Sequence, residues 1–201
     1  LISYFIQRGK CLNCNASISF RYPVIEFLTG IIFIISTNSS PSFYISDSNF
    51  ILNLFFNWLF ISLLICVALI DFDSFWIPQG LINFGFIAGV LGLIFIDLFD
   101  DQNIDFYLLI KGLSTSVASF FIFESLRYFA KYFFKKDAIG KGDSKLVAML
   151  ALWLGPIGTL FAVSISYIFA AIYCLVGFSI KLVKSGQVIP FAPFLSLGGL
   201  F

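Results

Sequence analysis

Residues 50–70 read FILNLFFNWLFISLLICVALI, a stretch of 21 residues without a single charge. A helix of that length rises about 30 Å, the thickness of a bilayer's hydrocarbon core. Further apolar runs at residues 23–36, 80–99, 106–127 and 156–180 repeat the pattern, the first of them short and able to extend into its flanks. No run alternates with period two over the length of a barrel strand, so strands facing lipid are excluded. The expected fold is therefore all-α, a polytopic transmembrane helix bundle. Only 11% of the 201 residues are charged, against about 25% in a typical soluble domain. That composition points to membrane lipid as the surroundings, while the net charge of +1 says little about partners and no basic stripe gives a footprint for nucleic acid.

Two helices do not fit the simple pattern. One starts near Lys145 and stops at Leu154, ahead of Gly155-Pro156. It is too short to cross a full bilayer, so it belongs where the membrane is thin or where protein surrounds it. A last span begins near Phe191 and is cut off in FAPFLSLGGLF, while the chain opens at Leu1 with no methionine or charged n-region. Both ends are read as places where a longer protein continues.

Lysine and arginine set the orientation of such a bundle. Arg8, Lys10 and Arg21 precede the first span, Arg127, Lys131, Lys135, Lys136, Lys141 and Lys145 fill the loop after the fourth, and Lys181 and Lys184 follow the run 156–180. Counting spans puts all of them on one side. Lys111 breaks the pattern and can snorkel toward the other surface. The opposite loops, TNSSPSFYISDSN and DLFDDQNID, hold no basic residue. The basic side is expected to be cytoplasmic. This topology brings Asp71 and Asp143, 72 positions apart in sequence, to the same membrane face.

Asp71 ends the second span in ALIDFDSFWIPQ, with Pro78 ahead of the next helix. A polar turn between helices would explain the string. Yet a carboxylate pressed against an apolar run is costly and marks function more often than not. Asp73 lies further into the loop, nearer water, and is the weaker candidate. Asp143 follows Gly140 and Gly142 in GKGDSK, where it could serve simply as an N-cap. The glycines would let a backbone, including that of a substrate, approach the carboxylate closely. Two carboxylates sharing a low-dielectric site cannot both ionise easily. One can then act as general base toward water while the other, protonated, polarises a peptide carbonyl. The chain has no histidine, which removes His-dependent triads and His-ligated catalytic metals.

The segment RGKCLNCNASISFRYPVIE carries Cys11 and Cys14 in a CxxC. That spacing suits two thiolates on one zinc, half of a tetrahedral site, and a redox pair is the alternative. Cys66 and Cys174 stand singly in apolar runs and read as packing residues. Glu26 sits just inside the first span, where it could pair with Arg21 or serve a site.

Taken in order, these strings resemble the prepilin leader peptidases of type IV pilus and type II secretion systems, GxGD-type membrane aspartyl proteases that are often also N-methyltransferases. ISYFIQRGKCLNCNASISFRYPVIEFLTG is similar to the end of that family's cytoplasmic zinc region, ALIDFDSFWIP to its first aspartate motif, GKGDSKLVAMLALWLG to its second, and VIPFAPFLSLGG to its closing segment. The resemblance implies residues 1–22 as the C-terminal half of a cytoplasmic zinc and methyltransferase region, and residues 23–201 as the transmembrane aspartyl peptidase. It implies Asp71 and Asp143 as the catalytic pair, supported by Gly140, Gly142, Lys145 and Pro78. Cys11 and Cys14 would be half of a four-cysteine zinc site, and Arg21, Tyr22, Pro23 and Glu26 a methyltransferase motif using S-adenosylmethionine. Substrates would be prepilin or pseudopilin precursors, cleaved at the cytoplasmic face of the bacterial inner membrane. Gln79 departs from the Asn or Asp that usually follows the proline, and Ile70 replaces the tyrosine of presenilin-like proteases. A transporter or channel using Asp71 and Asp143 as ion or proton sites is the rival reading. It predicts inverted repeats with helices broken at the midplane, and no such symmetry is present in the sequence.

Overall fold

The structure, a computed structural model, describes residues 2–38, 50–99, 106–135, 140–181 and 189–200. Lys136, Lys184 and most of the two loops expected to lack basic residues lie outside them. The chain forms two compact units, Leu1–Pro41 and Ser42–Phe201. Every regular element among the described residues is helical.

The first unit holds α1 (Ile2–Ile6), a tight reversal and α2 (Arg21–Asn38). An isolated antiparallel bridge between Lys10 and Ser17 closes the reversal around the CxxC. Helix α2 forms over the first expected span and has 18 residues, but it is not apolar enough to count among the membrane-crossing helices. Arg21 and Glu26 near one end, and Ser36, Thr37 and Asn38 at the other, dilute its apolar centre.

The second unit contains α3 (Phe50–Ser74), α4 (Gln79–Phe99), α5 (Tyr107–Phe134), α6 (Lys141–Ser179) and α7 (Ala192–Gly198). Four of these are long and apolar enough to cross a membrane, over Ile51–Ser74, Gln79–Ile96, Tyr107–Phe133 and Lys141–Ser179. At about 1.5 Å per residue an unbroken α6 would run nearly 60 Å, twice the hydrocarbon thickness. The break comes at Gly155, whose φ of 66° and ψ of −174° suit glycine alone. Pro156 then starts the outer half without a backbone donor to lose. The short helix expected from the sequence is thus the inner half of α6, and it begins at Lys141 rather than near Lys145.

Protein surrounds that inner half. Every residue of 146–153 is buried, packed on by α4, α5 and α7. Trp153 stacks on Phe60 with ring centroids 4.9 Å apart, and its indole N–H donates to the carbonyl of Gly85 at 2.9 Å. A Cβ at Gly89 would lie 2.7 Å from the same indole, so a small residue is what lets α4 come this close. Trp153→Phe keeps the stacking and loses the hydrogen bond. It should cost about 1–2 kcal/mol, whereas Trp153→Ala should cost about 3–5 kcal/mol through the cavity as well. Thermal unfolding in detergent micelles would separate the two.

Arg127 also differs from expectation. The sequence reading placed it in a loop, but α5 continues to Phe134, and Arg127 is buried in an ion pair with Glu124 one turn earlier.

Candidate active site

Helix α3 runs past Ile70 to Ser74, so Asp71 lies within its last turn rather than beyond it. Phe75 then adopts a left-handed conformation, φ 53°, and its N–H closes on the carbonyl of Asp71 at 2.8 Å. Trp76, Ile77 and Pro78 carry the chain to Gln79, where α4 begins. Asp71 is only 5% exposed. Its Oδ2 accepts the backbone N–H of Ala192 at 3.2 Å. That N–H is one of the free donors every helix start offers, here the start of α7. Asp73 is exposed and does not line the cleft described below.

Asp143 is the third residue of α6 and is 8% exposed. The N-cap is Gly140, not Asp143. The Asp143 Oδ2 reaches back to accept the Gly140 N–H at 3.1 Å. This is half of a capping box, since glycine has no side chain with which to return the bond.

Asp71 and Asp143 line one cleft of about 490 Å³, together with Trp76, Gly140, Lys145 and Phe191. The end of α3 and the start of α6 therefore meet at one end of the bundle, as the span count required. Lys145 Nζ donates to Gln79 Oε1, and Gln79 Nε2 donates to Asn83 Oδ1 at 2.8 Å. The unusual Gln79 thereby finds two partners of its own. The cleft falls within the size range of ligand sites, and two buried carboxylates converge on it. An arrangement of this kind can hold a water and a peptide carbonyl between an acid and a base.

Gly140 and Gly142 both line the cleft, and their lack of a Cβ also makes room inside the protein. A Cβ on Gly142 would stand 3.0 Å from Ile77 Cδ1, and one on Gly140 would stand 3.0 Å from Asp143 Oδ2. The space beside them is taken by the α3–α4 connection and by the Asp143 side chain itself. The glycines thus admit the protein's own atoms as well as bordering the cleft.

Sequence reasoning assigned no role to Ala192, Trp76 or Phe191. The signal for Ala192 was present in PFAPF, since prolines at 190 and 193 mark a helix start whose first N–H groups need acceptors.

In the first unit, Cys11 and Cys14 are free thiols. The backbone N–H groups of Cys14 and Asn13, with the Cys14 thiol, hold the Cys11 thiol below its usual pKa. A thiol surrounded by donors in this way favours the thiolate that metals bind. Two cysteine ligands fit half a zinc site, and no group of three or more His, Cys, Asp or Glu that could hold a metal is present among the described residues. Arg21 and Tyr22 are exposed at the start of α2, Pro23 is buried, and Glu26 is exposed.

The sequence model described as the type IV leader peptidase family matches residues 58–175. That of the bacterial peptidase A24 N-terminal domain matches residues 1–39. A type 4 prepilin-like proteins leader peptide-processing enzyme of Escherichia coli is 32% identical over 100% of this chain and 67% of its own length. Prepilin leader peptidase/N-methyltransferases of Neisseria gonorrhoeae and Legionella pneumophila are 29% and 32% identical, over 99% and 100% of this chain and 63% and 64% of theirs. The chain thus spans about two thirds of the length of these curated relatives. No solved structure matches it significantly. The transporter or channel reading gains no support from these relatives.

Proposed function

Because the chain belongs to the type IV leader peptidase family, we propose that it works as a membrane aspartyl endopeptidase on prepilin-like precursors, pilins of type IV pili or pseudopilins of type II secretion. It removes their leader at the cytoplasmic face of the bacterial inner membrane and methylates the new N-terminus. The observation that carries the reading is the convergence of two buried carboxylates, Asp71 and Asp143, on one cleft at one end of the bundle. The relatives' names supply the class of substrate.

In this reading the scissile peptide lies extended in the cleft with a water between the two carboxylates. The ionised aspartate takes a proton from the water, whose oxygen attacks the carbonyl carbon. The protonated aspartate donates a hydrogen bond to the carbonyl oxygen as charge develops there. The C–N bond then breaks, and the amine leaves with a proton from the dyad. Burial keeps bulk water from screening these charges. Lys145, held by Gln79, keeps one wall of the cleft polar.

S-adenosylmethionine would supply the methyl group, with Arg21, Tyr22, Pro23 and Glu26 as the candidate residues of that step. Zinc would be held by Cys11 and Cys14 with two further ligands, staking the reversal between α1 and α2. Substituting Cys11→Ser in the full-length protein should therefore lower methylation about 10-fold or more and leave cleavage within about threefold, both read by mass spectrometry of the product. The reading as a whole is tested by reconstituting the full-length protein in liposomes with a prepilin-type precursor. A shortened product carrying one added methyl group is expected, and a precursor that stays intact overturns the proposal.

A further inference from the structure

A second depression borders the cleft. Gln79 and Lys145 line both, so the hydrogen-bonded pair they form is a shared rim. Beyond it lies a groove of about 310 Å³ bounded by Ile82 and Phe86 of α4, Ser116, Val117 and Phe121 of α5, and Ala148 of α6. From Gln79 to Phe86 the groove follows α4 for two turns, about 10 Å. Its outer wall is open, with Val117 55% and Phe121 65% exposed on a helix long and apolar enough to cross a membrane.

We propose that the substrate carries an apolar segment beside its scissile bond and that this groove docks that segment as a helix. The inference rests on the peptidase reading and adds where the uncleaved part of the substrate sits. Continuity is the first argument. A chain leaving the aspartates past the Lys145–Gln79 rim enters the groove directly. The lining is the second. Apolar side chains form the walls, while Ser116 and Ala148 are small and both buried. Small residues let two membrane helices bring their backbones together. The third argument is the change of conformation that hydrolysis requires. A segment in the bilayer must stay helical to satisfy its backbone, whereas the bond to be cut must be reachable in extended form. The transition has to occur where polar partners are available, and the rim offers them. The Lys145 ammonium has three donors and gives one to Gln79, which leaves two for carbonyls of the unwound stretch.

Photo-crosslinking on the full-length enzyme tests the idea, with Asp143→Asn present so that bound precursor is not consumed. A photoreactive residue in place of Phe121 should capture the precursor through its apolar segment. The same residue in place of Leu160, exposed on the outer half of α6, should capture lipid alone. Lipid alone at both positions, or precursor equally at both, overturns the docking site. Kinetics gives an independent readout. Val117→Trp narrows the groove from its exposed wall and should raise KM for the whole precursor about 10-fold with kcat within twofold. Cleavage of a water-soluble peptide that has the bond but lacks the apolar segment should stay within twofold. An unchanged KM for the precursor, or an equal loss on both substrates, overturns the inference while leaving the peptidase reading intact. A wild-type enzyme that cleaves neither substrate overturns that reading itself.

Discussion

Asp143→Asn is expected to reduce leader cleavage by about 1,000-fold or more, and Asp71→Asn by as much. Acid–base partners commonly contribute 10²–10⁴-fold, and here each aspartate is required for the other's role. Asparagine is the informative choice at both positions. Its side-chain oxygen can still accept the Gly140 N–H at 143 and the Ala192 N–H at 71, so the helix ends stay anchored while proton transfer is lost. Residues acting as a unit are not additive, and the double variant should be about as slow as either single one. Asp73→Asn should remain within about threefold of the parent, because Asp73 is exposed and does not line the cleft. The measurement is the rate at which a prepilin-type precursor loses its leader, on variants matched for unfolding temperature. Full cleavage by either single variant would sink the dyad. Loss at Asp73 equal to that at Asp71 would transfer the first role to Asp73.

The second large effect is expected at the other end of α7, about 9 Å along the helix from Ala192. Gly198 ends α7 against α6, and a Cβ there would press into the backbone carbonyl oxygen of Ala162 and the Ser166 hydroxyl. That carbonyl already accepts the Ser166 hydroxyl at 2.5 Å, and a backbone atom in the middle of a helix has nowhere to go. Gly198→Ala should therefore cost about 3 kcal/mol, the upper end of overpacking penalties. It should also slow cleavage more than 10-fold, since any shift of α7 carries the Ala192 N–H away from Asp71. Gly199→Ala is the matched control. Its Cβ would meet Leu150 Cδ2 at 2.8 Å, the movable end of a side chain, so both stability and cleavage should change little. Thermal unfolding in detergent and the cleavage assay read the two consequences. Equal behaviour of the two variants would remove α7 from the account of the site.

What could be read from the sequence followed from the membrane itself. A bilayer enforces helices of a fixed length, so the runs behind α3, α4 and α5 were plain, and counting them brought Asp71 and Asp143 to one end. The Gly155-Pro156 break was equally legible, because proline after glycine interrupts a helix by known chemistry. Other features depend on contacts between distant segments. The reach of α3 through Asp71 to Ser74 was hidden, since ALIDFDS has no strong stop before Pro78. The purpose of Gly142 was hidden as well, because its neighbour, Ile77, comes from a turn 65 positions earlier in sequence. Arg127 was misplaced because charge alone suggested a loop, whereas Glu124 one turn back on the same face lets it stay helical and buried.

The hydrogen bond from Ala192 to Asp71 also has a consequence in time. Its donor and acceptor are 121 positions apart. At about 5–20 residues per second, a ribosome delivers the donor roughly 6–24 seconds after the acceptor. Throughout that interval Asp71 and then Asp143 are already in place in the growing chain, but the wall carrying Pro190, Phe191 and Ala192 has not been made. A half-synthesised chain therefore lacks the finished cleft, and a precursor emerging nearby meets no enclosed site until α7 has docked. Under the peptidase reading, this order keeps a partly made chain from presenting a finished cleft to a precursor.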